Sequence, residues 1–174
     1  MNSEQILHGA GAPAHTGVRT ADSADIPALV RLRLAYLADE HGIPESALDP
    51  RIAGQLPRYF AAHLNRDCFA ALYEAPDGTP SAAALLVIRE MPANPSFPTG
   101  NAGTVYSVYT APAFRRQGIA SAMIRLLTET AEQQHLDRIR LSATASGRHI
   151  YECAGFTVMP PHYTEMEYIC KGKG

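Results

Sequence analysis

Residues 105–120 read VYSVYTAPAFRRQGIA, and this run decides how the rest of the chain is folded. A strand ends at Pro112 and a helix opens near Gln117. Between Arg115 and Ser121 the backbone N–H groups have no intrahelical partner and sit at the positive end of the helix dipole, which makes an anion site. Gly118 lets a ligand approach the backbone, Ala120 keeps the next turn narrow, and Arg115 and Arg116 add positive charge. A pyrophosphate fits such a turn. Taken alone, the arginine pair also suits a solvated turn, and Gly118 a relief of packing. The helix predicted over 117–134 carries Ile119, Met123, Leu126 and Thr130 on one stripe, so it can lie against a sheet with its N-terminus held still. Neither G-x-x-x-x-G-K-[ST] nor a G-x-G-x-x-G after a strand is present, so nucleotide hydrolysis and dinucleotide binding recede.

Working outward, a strand at 18–20 precedes a helix in which Ser23 or Asp25 is placed to cap the first turn, with Pro27 just inside it. Ile26, Leu29, Val30, Leu34 and Leu37 share a face, and His41-Gly42-Ile43-Pro44 stops the run. A second helix at 51–64 carries Ile52, Leu56, Tyr59, Phe60 and His63 at spacings of three and four. Strands at 69–74 and 82–89 flank a turn at Ala75-Pro76-Asp77-Gly78. Pro92, Pro95 and Pro98 mark a loop at 91–103 that stands as a candidate border of a binding site. Strands at 104–110 and 138–143 enclose the long helix, and a short helix at 147–154 follows. Two last strands are predicted at 156–159 and 165–170, around a turn at Pro160-Pro161. This order implies an α/β sandwich with a mixed sheet.

The chain has 174 residues, 46% of them hydrophobic and 18% charged, which suits one globular domain at 18–174 behind a flexible arm at 1–17. Fifteen basic residues stand against 17 acidic ones, a net charge of -2 that offers no footprint for nucleic acid or an anionic membrane. Cys68, Cys153 and Cys170 are scattered and odd in number, which argues against a disulfide framework and for a reducing compartment. No metal is expected, since the seven histidines never reach zinc-ligand spacing. No leader or membrane-length apolar run is visible, so the expected place is the cytoplasm.

Two motifs together carry a resemblance. R-x-x-G-x-A at Arg115 to Ala120, directly after a strand and a proline, is similar to the acyl-CoA signature of the GNAT superfamily of N-acetyltransferases. Residues 141–156, LSATASGRHIYECAGF, resemble that family's strand, short helix and Y-x-x-x-G-F ending, in the same order and separation. The likeness spans residues 18–170. It implies an α/β fold with a GNAT-like mixed, mostly antiparallel sheet and helices on both faces, and acetyl transfer from acetyl-CoA to a primary amine of a small molecule or peptide.

Carried over residue by residue, the resemblance assigns the pantetheine arm to the strand at Val108, Tyr109 and Thr110. It assigns the pyrophosphate to Arg115, Arg116, Gln117, Gly118, Ile119, Ala120 and Ser121. The strand is expected to splay from its neighbour at a bulge, where the N–H of Val108 would polarise the thioester carbonyl. Tyr151 matches the tyrosine that protonates the departing thiolate, its other reading being packing beside Ile150 and Phe156. Thr144 stands where many relatives have a cofactor-binding asparagine, and its hydroxyl substitutes in part. Residues 104–110 contain no carboxylate, which leaves Glu90, His149 and Glu152 as candidate bases. Cys153 invites a ping-pong route, but it follows Tyr151 by two helical positions and has no base at nucleophile spacing. The rival class is a non-catalytic acyl-CoA sensor. Pairing through 165–170 into a homodimer is a further implication of the family.

Overall fold

The computed structural model describes residues 17–160 and 164–170. The arm predicted at 1–17 lies outside them except for Gly17. Five strands form one sheet in the order β1 (Val18–Thr20), β2 (Cys68–Glu74), β3 (Pro80–Glu90), β4 (Asn101–Thr110), β5 (Arg138–Arg140). The first four pair antiparallel and β5 runs parallel to β4. Helices α1 (Ile26–His41) and α2 (Pro50–His63) cover one face; α3 (Ile119–Gln133) and the short α4 (Arg148–Cys153) lie on the other.

Strand periodicity explains the two-sided core. Along β2, Ala71 and Tyr73 pack with the α3 cluster, whereas Cys68, Ala70 and Leu72 pack with α1 and α2. Along β3, Ala82, Ala84 and Leu86 alternate in the same way with Ala83 and Leu85. Both strands are sandwiched, so they read as nearly continuous apolar runs, and their alanines let the helices approach closely. The predicted hairpin is present, with Gly78 at φ 82°.

The cap of the first helical turn differs from expectation. Asp22 accepts from Ala24 N, while Asp25 turns back to accept from Asp22 N at 2.8 Å. Asp25 is occupied because Arg19 of β1 bridges it and Glu74 of β2, both at 2.6 Å. That guanidinium holds the Asp25 carboxyl below its ordinary range.

Residues 156–159 and 164–170 carry no regular structure, which corrects the two last predicted strands; part of their connection lies outside the described residues. Alternating apolar residues make a strand only where a neighbouring edge supplies hydrogen bonds. Here β5 ends after three residues, and Val158, Met159, Met166, Tyr168 and Ile169 stay exposed. The proline loop also departs from expectation. Phe97 packs under the Arg138 guanidinium at 3.9 Å, beside the start of β5 and at the opposite end of β4 from Thr110.

Helix α3 buries Met123, Ile124 and Leu127 against the sheet, and the sequence stripe through Leu126 lies at the edge of that face. Leu127 is 1% exposed, so Leu127→Ala is expected to cost about 2–5 kcal/mol in urea unfolding. A loss well below about 1 kcal/mol would contradict this packing.

Candidate active site

Strand β4 changes partners along its length. On one edge, Leu85 pairs with Tyr106 and Ala83 with Tyr109, so Ser107 and Val108 together face Ala84. This is a bulge, and Ser107 takes φ 56° in the left-handed region that residues with a Cβ seldom enter. On the other edge, β5 pairs only with Ala102, Gly103 and Thr104. From 105 to 110 that edge has no strand partner among the described residues, and its last part, Val108 to Thr110, borders a groove of about 740 Å³.

The floor of the groove is the start of α3. Pro112 ends β4 in a short 3-10 turn, after which Arg116 (φ 63°) and Gly118 (φ 78°) both adopt left-handed conformations. Ala122 N reaches back to Gly118 O at 3.1 Å, and no side chain caps the helix. The amides of Ile119, Ala120 and Ser121 are therefore donors without intrahelical acceptors, gathered at the positive end of the helix. Gly118, Ile119, Ala120 and Ser121 all line the groove, as do Arg116, Val108, Tyr109 and Thr110. Thr144, Ser146 and Ile150 form one wall; Tyr36, Asp39 and Glu40 of α1 form the other.

Arg115 does something the sequence did not show. Its Nε donates to Thr110 O at 2.9 Å, its Nη2 meets Asp39 at 2.8 Å, and its guanidinium lies over the Tyr109 ring. It ties the phosphate turn to the end of β4 and to α1. Gln117 turns away from the groove and donates to Ala113 O. The Thr144 hydroxyl accepts from Gly147 N at 3.1 Å, so it also shapes the entry to α4.

Residues 33–156 match the model of the acetyltransferase (GNAT) family. The chain belongs to that family. A predicted acetyltransferase from Clostridium acetobutylicum, solved with acetyl-CoA, is 30% identical, with 86% of this chain and 94% of that one covered at a TM-score of 0.74. A GCN5-related N-acetyltransferase from Ralstonia eutropha JMP134 (22% identity, 86% and 97% covered, TM-score 0.69) shares the fold. So does glucosamine-6-phosphate N-acetyltransferase from Arabidopsis thaliana (14% identity, 86% and 96% covered, TM-score 0.64). No curated protein matches.

In this GNAT chain Tyr151 is not part of the groove lining. It borders a neighbouring cavity of about 410 Å³ beside β5 and meets Phe156 edge-on, with ring centres 6.1 Å apart. Burial raises its pKa. It is nevertheless near enough to Tyr36, a groove residue, to add slightly to the upward shift of the Tyr36 phenol. Tyr36 is pushed up to about 12, first by burial and then by its hydrogen bond to Glu40 at 2.5 Å.

None of the three bases considered from sequence lines the groove. Glu90 pairs with Asn101 at the far end of β4, and Glu152 is held by Arg148 at 2.6 Å. His149 stands 3.5 Å from Cys153 Sγ, so the thiol does have an imidazole neighbour, contrary to expectation. The pair is exposed and lies away from the groove, which leaves the ping-pong route without a site. The carboxylates that do line it, Asp39 and Glu40, sit at the end of α1, outside both recognisable motifs. Their i+3 and i+4 spacing from Tyr36 was the one available signal.

No helix among the described residues is long and apolar enough to cross a membrane, and no cluster of three or more His, Cys, Asp or Glu there is arranged to hold a metal. The Arg115–Asp39 pair is about half exposed on both sides, so solvent screens it. Asp39→Asn is expected to change unfolding free energy by at most about 1 kcal/mol. A loss of about 2 kcal/mol or more in urea titration would make the tie a main support of the fold.

Proposed function

We propose that the protein transfers an acetyl group from acetyl-CoA to a primary amine by direct attack, with Tyr151 as general acid. The observation that carries this reading is the bare α3 N-terminus at the floor of a groove that β4 opens by leaving β5. Side-chain capping would fill the space a pyrophosphate needs, whereas free amides and a left-handed Gly118 suit it. The Clostridium acetobutylicum relative solved with acetyl-CoA supports the same cosubstrate here.

Acetyl-CoA supplies an acyl carbon activated as a thioester. The amides of Ile119, Ala120 and Ser121, with Arg116, hold its pyrophosphate, while Arg115 and Gln117 shape the turn. The backbone of Val108, Tyr109 and Thr110 holds the pantetheine arm across from Thr144, and the Val108 N–H donates to the thioester carbonyl. Glu40 takes a proton from the incoming ammonium. The amine nitrogen then bonds to the acyl carbon and sheds its second proton to solvent, the carbon–sulfur bond breaks, and Tyr151 gives its proton to the sulfur and is reprotonated from solvent. The Tyr151 phenol, held by burial above its usual value near 10, carries its proton at neutral pH and is in the form a donor needs.

Gly118→Asp places a carboxylate among the α3 amides, and calorimetry is expected to find acetyl-CoA binding abolished in a variant that still folds. Unchanged affinity would remove the pyrophosphate assignment. Tight binding in the wild type without product across a broad amine panel would instead make the protein an acyl-CoA sensor.

Tyr151→Phe keeps the ring and its contact with Phe156, so single-turnover acetyl transfer should slow by roughly ten- to a thousandfold with little change in melting temperature. The raised Tyr151 pKa also sets a direction. The wild-type rate is expected to hold through pH 10 or so and fall above it, a limb absent from the variant. Glu40→Gln should lower the same rate to a similar extent. An unaltered rate in either variant removes that residue from the chemistry.

A further inference from the structure

A second cavity, of about 260 Å³, opens on the α1 and α2 face of the sheet. Its floor is apolar, with Leu56, Phe60 and Leu85 buried beneath it. Arg33 of α1 and Arg89 of β3 both line it, and no carboxylate does. Among the described residues neither guanidinium takes part in an ion pair or a side-chain hydrogen bond; Arg33 makes only a stacking contact with Tyr36, 5.2 Å from the ring centre. Two like charges sharing a small cavity repel each other, and an anion placed between them removes that repulsion and gains charge-assisted hydrogen bonds.

The cavity also lies where an acceptor must come. Tyr106 forms part of its lining and directly precedes the Ser107–Val108 bulge. Arg33, Tyr36 and Glu40 are spaced i, i+3 and i+7 along α1, so one helix face runs from this cavity to the groove wall. Leu85 pairs with Tyr106 across the sheet, and Val87 and Arg89 follow Leu85 on its face of β3. An amine entering here meets the bulge with its remaining atoms over Leu56 and Phe60.

We infer that Arg33 and Arg89 form an anion subsite, and that the acceptor is an amine carrying a carboxylate or phosphate on an apolar body. This rests on the acetyltransferase reading for its reaction, but the subsite can be tested apart from turnover. Amines matched in skeleton, with rates taken per unit of free amine, separate the possibilities: L-phenylalanine against L-phenylalaninamide for carboxylate, and O-phosphoethanolamine against ethanolamine for phosphate.

In transfer assays with acetyl-CoA, the anionic member of at least one pair is expected to have a kcat/KM roughly 10- to 100-fold above its neutral partner. Arg33→Met and Arg89→Met, which keep most of the aliphatic stem, should each collapse that preference through KM, with acetyl-CoA affinity unchanged. Equal use of both members by the wild type, or a preference surviving in both variants, overturns the inference and leaves the acetyltransferase reading intact. If no amine releases thiol, the same four amines are titrated calorimetrically into the protein loaded with coenzyme A. Arginine-dependent binding of an anionic member would then uphold the subsite independently of turnover, and its absence would overturn the subsite.

Discussion

The bulge at Ser107 and Val108 is the constraint on which the rest of the molecule depends. Two residues of β4 must fit opposite Ala84, which is fully buried and too small to leave slack. The strand responds by twisting, with Ser107 in a left-handed conformation that costs on the order of 1–2 kcal/mol. The ladder to β5 stops at three residue pairs. An open strand edge is ordinarily a liability, because unpaired backbone groups invite aggregation. Here walls from α1 and from the α4 entry turn that edge into the side of a groove.

The chain leaving β4 has little choice of direction, and that is why the start of α3 is held rigidly. Pro112 cannot continue the strand ladder, Arg115 is fixed to Thr110 and Asp39, and two left-handed residues swing the backbone into α3. Helix α3 is then anchored by Ile119, Met123, Ile124 and Leu127, each no more than 2% exposed. Its N-terminal amides are held by packing a full helix length deep. Pre-organised donors of this kind lose no ordering entropy when an anion arrives.

Legibility of the sequence follows the distance over which each feature is encoded. The β2–β3 hairpin and the turn into α3 are specified by neighbouring residues, so turn chemistry and periodicity suffice to find them. Gly118 and Ala120 are legible for the same reason. Arg115 was recognised as a positive charge, but its tie to Asp39 joins residues 76 apart in sequence and leaves no local mark. The His149–Cys153 contact has ordinary i,i+4 spacing, a pattern too common on helices to mark a site by itself. For residues 156–159 and 165–170, alternation is the only local sign of a strand. Whether such a pattern pairs depends on a neighbouring edge, and β5 is too short to announce itself as one.

Cofactor and acceptor recognition therefore fall on opposite sides of the legibility line for a physical reason. A pyrophosphate is read by backbone amides, which any sequence supplies once a glycine permits the turn, so the motif is short and local. An acceptor must be read by side chains that face a common cavity. Arg33, Tyr59, Arg89 and Tyr106 come from α1, α2, β3 and β4, and only the fold brings them together. On the proposed reading, substitution among these positions would alter the acceptor while leaving the Ser107–Val108 bulge and the α3 N-terminus intact. A scaffold built in this way can keep one acyl donor while its acceptor varies, because the two recognition surfaces share β4 but occupy different edges and faces of it.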